Sequence, residues 1–153
     1  VLHVYVDADA CPVKDEVYRV AERYGLSVTL VANSPLRVPL HERIRLVVVG
    51  AGFDAADDWI ATNAGAGDIV ITADIPLASR CLKNGARVIG STGKPFTDAT
   101  IGQALAGREL SQHLRESGLI TGGPAPLGKQ DRSRFLQQLD QDIQAIRRAA
   151  GIR

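Results

Sequence analysis

The run Leu2-His3-Val4-Tyr5-Val6-Asp7-Ala8-Asp9-Ala10-Cys11-Pro12 decides how the rest of the chain is read. Leu2, Val4 and Val6 form an apolar stretch that stops at Asp7, and Pro12 opens a helical pattern. A buried strand that ends in Asp-x-Asp aims carboxylates out of its carboxyl end. In open α/β sheets that edge is where ligands and catalytic groups collect. A second strand-end acid, Asp74 in Ile71-Thr72-Ala73-Asp74-Ile75-Pro76, repeats the arrangement, and an acid-rich helix start, Gly52-Phe53-Asp54-Ala55-Ala56-Asp57-Asp58-Trp59, lies between them. Three acidic sites at equivalent places in the topology point to one shared cation.

Strand-like runs rich in Val, Ile and Leu recur at 2–7, 27–32, 44–49, 69–73 and 87–90. Between them, residues 13–24 set Val13, Val17, Val20, Ala21 and Tyr24 on one helical face, with Pro12 at the first position and Gly25 past the end. Residues 54–64 and 75–84 read as shorter helices, and the two-proline segment 34–42 reads as a loop. Near-continuous apolar strands alternating with helices predict a mostly parallel sheet of about five strands covered on both sides, an α/β/α sandwich. After residue 90 the pattern is helical only: 98–117, then the Gly/Pro loop 120–130, then 131–149 with Phe135, Leu136, Leu139, Ile143 and Ile146 facing inward. The expected organisation is one domain over 1–153, with 98–153 a C-terminal helical extension packed on it.

Composition narrows the functional classes. No apolar run is long enough to cross a bilayer, and no basic region followed by an apolar stretch marks a signal peptide. Cys11 and Cys81 are too few for a disulfide framework and match no zinc spacing, so a reduced, cytoplasmic protein without membrane association is expected. Net charge is +1, but residues 1–79 carry 6 Lys/Arg against 11 Asp/Glu, whereas residues 80–153 carry 12 against 6. An acidic half bearing the site and a basic half suit a metal held beside a phosphate backbone, and equally a fold that interleaves the halves and mixes their signs. Lys14, Lys94, Lys129 and Arg132 are the basic groups expected to hold phosphates, together with the backbone of Thr121, Gly122 and Gly123. The loop 121–124 reads equally well as a rigid connection between helices. A homo-oligomer is compatible with all of this.

Asp54, Asp57 and Asp58 are spaced to share one face of a first helical turn. Acids there also cap free N–H groups and complement the helix dipole, but three crowded together repel, and a cation relieves them. Gly50-Ala51-Gly52-Phe53-Asp54 loosely matches a dinucleotide fingerprint. Electrostatics argues against it: at about 5–6 Å and an effective dielectric near 20, each acid would repel a pyrophosphate by roughly 3 kcal/mol. A nicotinamide dinucleotide is therefore not expected. Val88 to Pro95 fails as a phosphate loop, because Val88 stands where the first glycine is needed and Pro95 where a hydroxyl is needed. Cys11 reads as a buried small residue, and His3, His41 and His113 show no mutual spacing for nucleophilic catalysis.

Val6-Asp7-Ala8-Asp9-Ala10-Cys11-Pro12-Val13-Lys14, Gly52 to Asp57, Ile71 to Ala78 and Ser117 to Pro124 followed by Asp131-Arg132 occur in this order. On these four motifs the chain resembles the YaiI/YqxD family of bacterial proteins over about residues 3–147. That family is regarded as related to PIN-like domains, metal-dependent nucleases of three-layer α/β/α fold. The resemblance implies Asp7 as the first acid, Asp54 or Asp57 as the helical one and Asp74 as the last, with Asp9 belonging to the family's own D-A-D pattern. It implies Mg²⁺ or Mn²⁺, held by hard oxygen ligands, with Asp7, Asp57 and Asp74 catalytic and Asp7, Asp9, Asp54, Asp57 and Asp74 around the metal. Two other readings stand beside the nuclease. One is a phosphatase of the haloacid-dehalogenase type using Asp7 and Asp9, with Ser34 and Lys83 as its hydroxyl and lysine. The other is a non-catalytic module that binds nucleic acid or protein.

Overall fold

Apolar strands bury their backbone N–H and C=O groups only by pairing, and the five predicted runs do so in one parallel array. The computed structural model describes residues 2–50, 52, 54–103, 106 and 127–151. Its strands are β1 (His3–Asp7), β2 (Ser27–Ala32), β3 (Ile44–Val48), β4 (Ile69–Ile71), β5 (Arg87–Ile89) and β6 (Pro95–Phe96). Their order is β3-β2-β1-β4-β5-β6, with only β6 antiparallel. β6 is the strand not expected from the sequence: it is two residues long, begins with proline and pairs Ile89 with Pro95 and Val88 with Phe96. An edge position tolerates a residue that cannot donate to the ladder.

The helices are α1 (Lys14–Tyr24), α2 (Ala55–Asn63), α3 (Ile75–Lys83) and α4 (Lys129–Ala149). On one sheet face, Val4, Val6, Leu30, Ile69 and Ile71 pack against Val17 and Val20 of α1 and Phe135, Leu139 and Ile143 of α4. On the other, Val31, Val70 and Val88 pack against Ala56 and Ile60 of α2 and Leu77, Ala78 and Cys81 of α3. The result is the expected α/β/α sandwich. Burying each such Val, Leu, Ile or Phe contributes roughly 1.5–3 kcal/mol.

Helix ends differ in detail from the sequence reading. Val13 is the N-cap of α1, so Pro12 stands just outside the helix and not at its first position. Gly25 closes α1 in the left-handed conformation at φ 67°, its N–H reaching the carbonyls of Ala21 and Glu22. α4 starts at Lys129, two residues earlier than its apolar stripe indicates. Of the helix expected over 98–117, residues 98–103 and 106 are helical and the rest lies outside the described residues, as does most of the loop 120–130. Among the described residues, no helix is long and apolar enough to cross a membrane.

Candidate functional site

The chain runs outward from β1 to β2 and β3, then returns to place β4 on the other side of β1. That reversal opens a crevice at the carboxyl ends of β1 and β4, the place where open α/β sheets bind ligands. A cleft of about 530 Å³ lies there. Asp7 ends β1, a short 3₁₀ turn over Ala8–Ala10 carries Asp9, and Asp54 and Asp57 enter from the start of α2. Thr72 and Asp74 follow β4, Asn33 follows β2 and Ser91 follows β5, and all of these line the cleft. The five acids expected around a metal therefore share one cavity.

Their environments are distinct. Asp7 is half-buried, and its Oδ2 accepts the Thr72 hydroxyl at 2.8 Å. Burial pushes its carboxyl above the ordinary range, Thr72 opposes that shift, and Asp74 and Asp9 add to it. Thr72 Oγ1 also accepts the backbone N–H of Asp74 at 3.0 Å, so one hydroxyl joins the two strand ends. Asp74 N-caps α3, its Oδ1 accepting from Leu77 N at 2.9 Å. Asp9 accepts the backbone N–H of Asn33 at 2.9 Å. Asp57 is pushed up to about 6, by burial first and then by the charges of Asp74, Asp7 and Asp54, while Arg80 pulls it back. Like charges shift one another in this way only at close range. Asp54 stands at the N-cap of α2 yet makes no side-chain cap hydrogen bond, so capping does not account for it.

Other expectations fare unevenly. Asp58 does not share the cleft face with Asp57; it turns to solvent and pairs with Arg80 of α3 at 2.8 Å. Arg132 is engaged within the fold, its guanidinium donating to Pro12 O at 2.9 Å and to Glu16 Oε1 at 3.0 Å. Lys94 and Lys129 are exposed and Lys14 is half-buried, all three outside the cleft lining. Thr121, Gly122 and Gly123 lie outside the described residues. Cys11 lines the cleft but is buried, and burial raises its thiol, which keeps it protonated. Ser34 and Lys83 are exposed and line no part of the cleft, which removes the hydroxyl and lysine a phosphatase would use. Sequence reasoning passed over Thr72, Asn33 and Ser91. Only Thr72 carried a signal, a hydroxyl two residues before a strand-end acid.

The donor set suits a hard divalent cation: it is anionic, all oxygen, and self-repelling until a cation or proton enters. Among the described residues, no three His, Cys, Asp or Glu side chains form a ready-made ligand group. Mg²⁺ does not require one, since it keeps several waters and takes about one or two carboxylates directly.

Fold and cleft together define a class, an α/β sandwich with an acidic crevice at the switch point of its sheet. Within that class the chain belongs to the family described as "Uncharacterized BCR, YaiI/YqxD family", whose model matches residues 5–145. It is 60% identical to a UPF0178 protein of Nitrobacter winogradskyi over 152 residues, covering 99% of this chain and 97% of that one. A UPF0178 protein of Rhodospirillum rubrum is 56% identical over 148 residues, with 96% and 99% covered. One from Rhodospirillum centenum is 58% identical over 151 residues, with 96% and 98% covered. No solved structure matches the chain.

Proposed function

We propose that the protein is a divalent-metal-dependent nuclease that hydrolyses phosphodiester bonds of RNA or single-stranded nucleic acid. The observation that carries this reading is the gathering of Asp7, Asp9, Asp54, Asp57 and Asp74 in one cleft, with Asp7 and Asp57 both held above their ordinary range. A protein keeps mutually repelling, partly desolvated carboxylates where they perform a task, because each costs stability.

One or two of Asp7, Asp57 and Asp74 would hold Mg²⁺ or Mn²⁺ directly and the others through its bound waters, with Asp9 and Asp54 also lining the cleft. When bound, such an ion neutralises charge on the phosphate and makes water a better nucleophile. Thr72 steadies the Asp7 carboxylate by donating to Oδ2. The Asp74 N–H in turn donates to Thr72 Oγ1, which orients the hydroxyl that ties this strand end to Asp7.

The test is cleavage of single-stranded RNA and DNA in Mn²⁺ by the wild-type chain, Asp7→Asn and Asp74→Asn. Cleavage lost in both variants, with circular dichroism unchanged, supports the reading. Absence of divalent-ion binding by calorimetry would leave the chain a non-catalytic binding module of the same fold. Turnover of a small phosphate ester, without nucleic-acid cleavage, would return the phosphatase.

A further inference from the structure

An acidic cleft that receives a phosphodiester needs hydrogen-bond donors as well as a cation. A lysine or arginine inside it would pair with the carboxylates and quench them. A hydroxyl donates without doing so. Among the polar neutral groups of the cleft, Thr72 is already committed to Asp7 and Asp74, and Asn33 is exposed beyond β2, on the far side of β1 from Asp74, with its backbone N–H given to Asp9. Ser91 lines the cleft from the end of β5, on the Asp74 side, half-buried, with no hydrogen-bond partner for its hydroxyl among the described residues.

The turn that carries Ser91 is built to hold it still. Gly93 N donates to Gly90 O at 3.0 Å and Gly90 N to Lys94 O at 2.9 Å, closing the connection between β5 and β6. Gly93 has φ 86°, a conformation side chains resist. A Cβ placed there would lie 2.6 Å from Arg134 C and 2.7 Å from Phe135 N, main-chain atoms of α4. The turn thus seats directly on the α4 backbone, where Phe135 is fully buried in the core. Two constraints, the left-handed φ and the contact with α4, therefore fix Gly93, two residues after Ser91.

We propose that Ser91 is the residue that donates a hydrogen bond to a non-bridging phosphate oxygen of the nucleic-acid strand, and that Gly93 is the positioning residue that locks its turn against α4. This rests on the nuclease reading above and names the substrate contact within it.

Steady-state cleavage of single-stranded RNA in Mn²⁺ and anisotropy of a fluorescein-labelled single-stranded RNA with Ca²⁺ in place of Mn²⁺ test it together. Ser91→Ala raises KM and weakens binding by about tenfold, the loss of one hydrogen bond to a charged acceptor. Ser91→Thr restores most of both, and Thr62→Ala, exposed in the last turn of α2 and outside the cleft lining, changes neither. Gly93→Ala raises KM similarly, and adding Ser91→Ala to it raises KM no further, because the hydroxyl is already displaced. A merely structural glycine would give additive losses. Should Gly93→Ala fail to fold, the Ser91→Ala and Ser91→Thr pair decides alone. A wild-type chain that cleaves RNA with Ser91→Ala unchanged in KM and anisotropy overturns this proposal and leaves the nuclease reading standing. A wild-type chain that neither binds nor cleaves overturns both.

Discussion

Thr72 and Asp7 are 65 residues apart, and the Thr72 hydroxyl lies 2.8 Å from Asp7 Oδ2. The bond crosses from β4 to β1 and is the link through which one hydroxyl serves two acids. Thr72→Val keeps the shape and removes the donor. We expect it to destabilise the chain by about 1–2 kcal/mol, the worth of a hydrogen bond to a half-buried carboxylate. Mn²⁺ affinity by calorimetry should fall with it, and Thr72→Ser should recover both. Equal stability and affinity in Thr72→Val would show that Asp7 does not depend on this donor.

Asp57 ties pH to stability. Its carboxyl sits at about 6 in the folded chain against an ordinary 3.8. Between those values the folded state binds more protons than the unfolded one, so stability falls as pH rises through the window, and the penalty is complete above about 6. Asp57→Asn cannot ionise and escapes it. The variant should melt at a higher temperature than wild type at pH about 7.5, with the advantage gone near pH about 4. Mn²⁺ should stabilise wild type more than the variant. A melting point lowered at neutral pH would contradict this.

Asp74 both caps α3 and lines the cleft. Asparagine caps a helix nearly as well as aspartate, so Asp74→Asn should leave stability within about 0.5 kcal/mol, while Asp74→Ala should cost about 1 kcal/mol through the lost bond to Leu77 N. Both should abolish cleavage. Urea titration separates the two roles, and equal stability of the two variants would mean the cap contributes nothing.

Arg132 is expected to matter for folding before binding. Glu16 is buried, its Oε1 is paired with Arg132, and its Oε2 has no hydrogen-bond partner. Arg132→Ala leaves that carboxylate without a counter-charge. Because the Arg132 side chain is 40% exposed, the loss should be about 2 kcal/mol, below that of a fully buried pair. Glu16→Gln in the same chain should recover part of it. If Arg132→Ala instead kept its melting point and lost affinity for RNA with a reduced salt dependence, Arg132 would be a phosphate contact after all.

The strands were legible because buried parallel strands are continuous apolar runs, and the helices because Val17, Val20, Phe135, Leu139 and Ile143 recur at helical spacing. β6 left no such trace, being short and held mainly by its neighbour. Strand-end aspartates announced the cleft, since an acid closing an apolar run faces the sheet's edge whatever surrounds it. Spacing alone placed Asp58 with Asp57, but 100° per residue separates adjacent positions, and Arg80 of another helix claimed the second acid. Arg132 and Ser91 depend on contacts between elements far apart in sequence, which no local pattern encodes.

β1 sits in the middle of the sheet, yet its neighbours join at very different distances along the chain: Val4 pairs with Val28 on one side and with Ile69 on the other. During synthesis the first pairing has its partners long before the second. A half-sheet of β1 to β3 would carry Asp7 and Asp9 on an open edge, with neither Thr72 nor Asp74 beside them. The repulsion that Asp74 adds to Asp7 and Asp57 arises only when β4 docks, so the step that joins the two halves of the sheet also completes the charge of the cleft. If the protein is the metal-dependent nuclease proposed above, cation availability at that moment bears on how fast the chain matures.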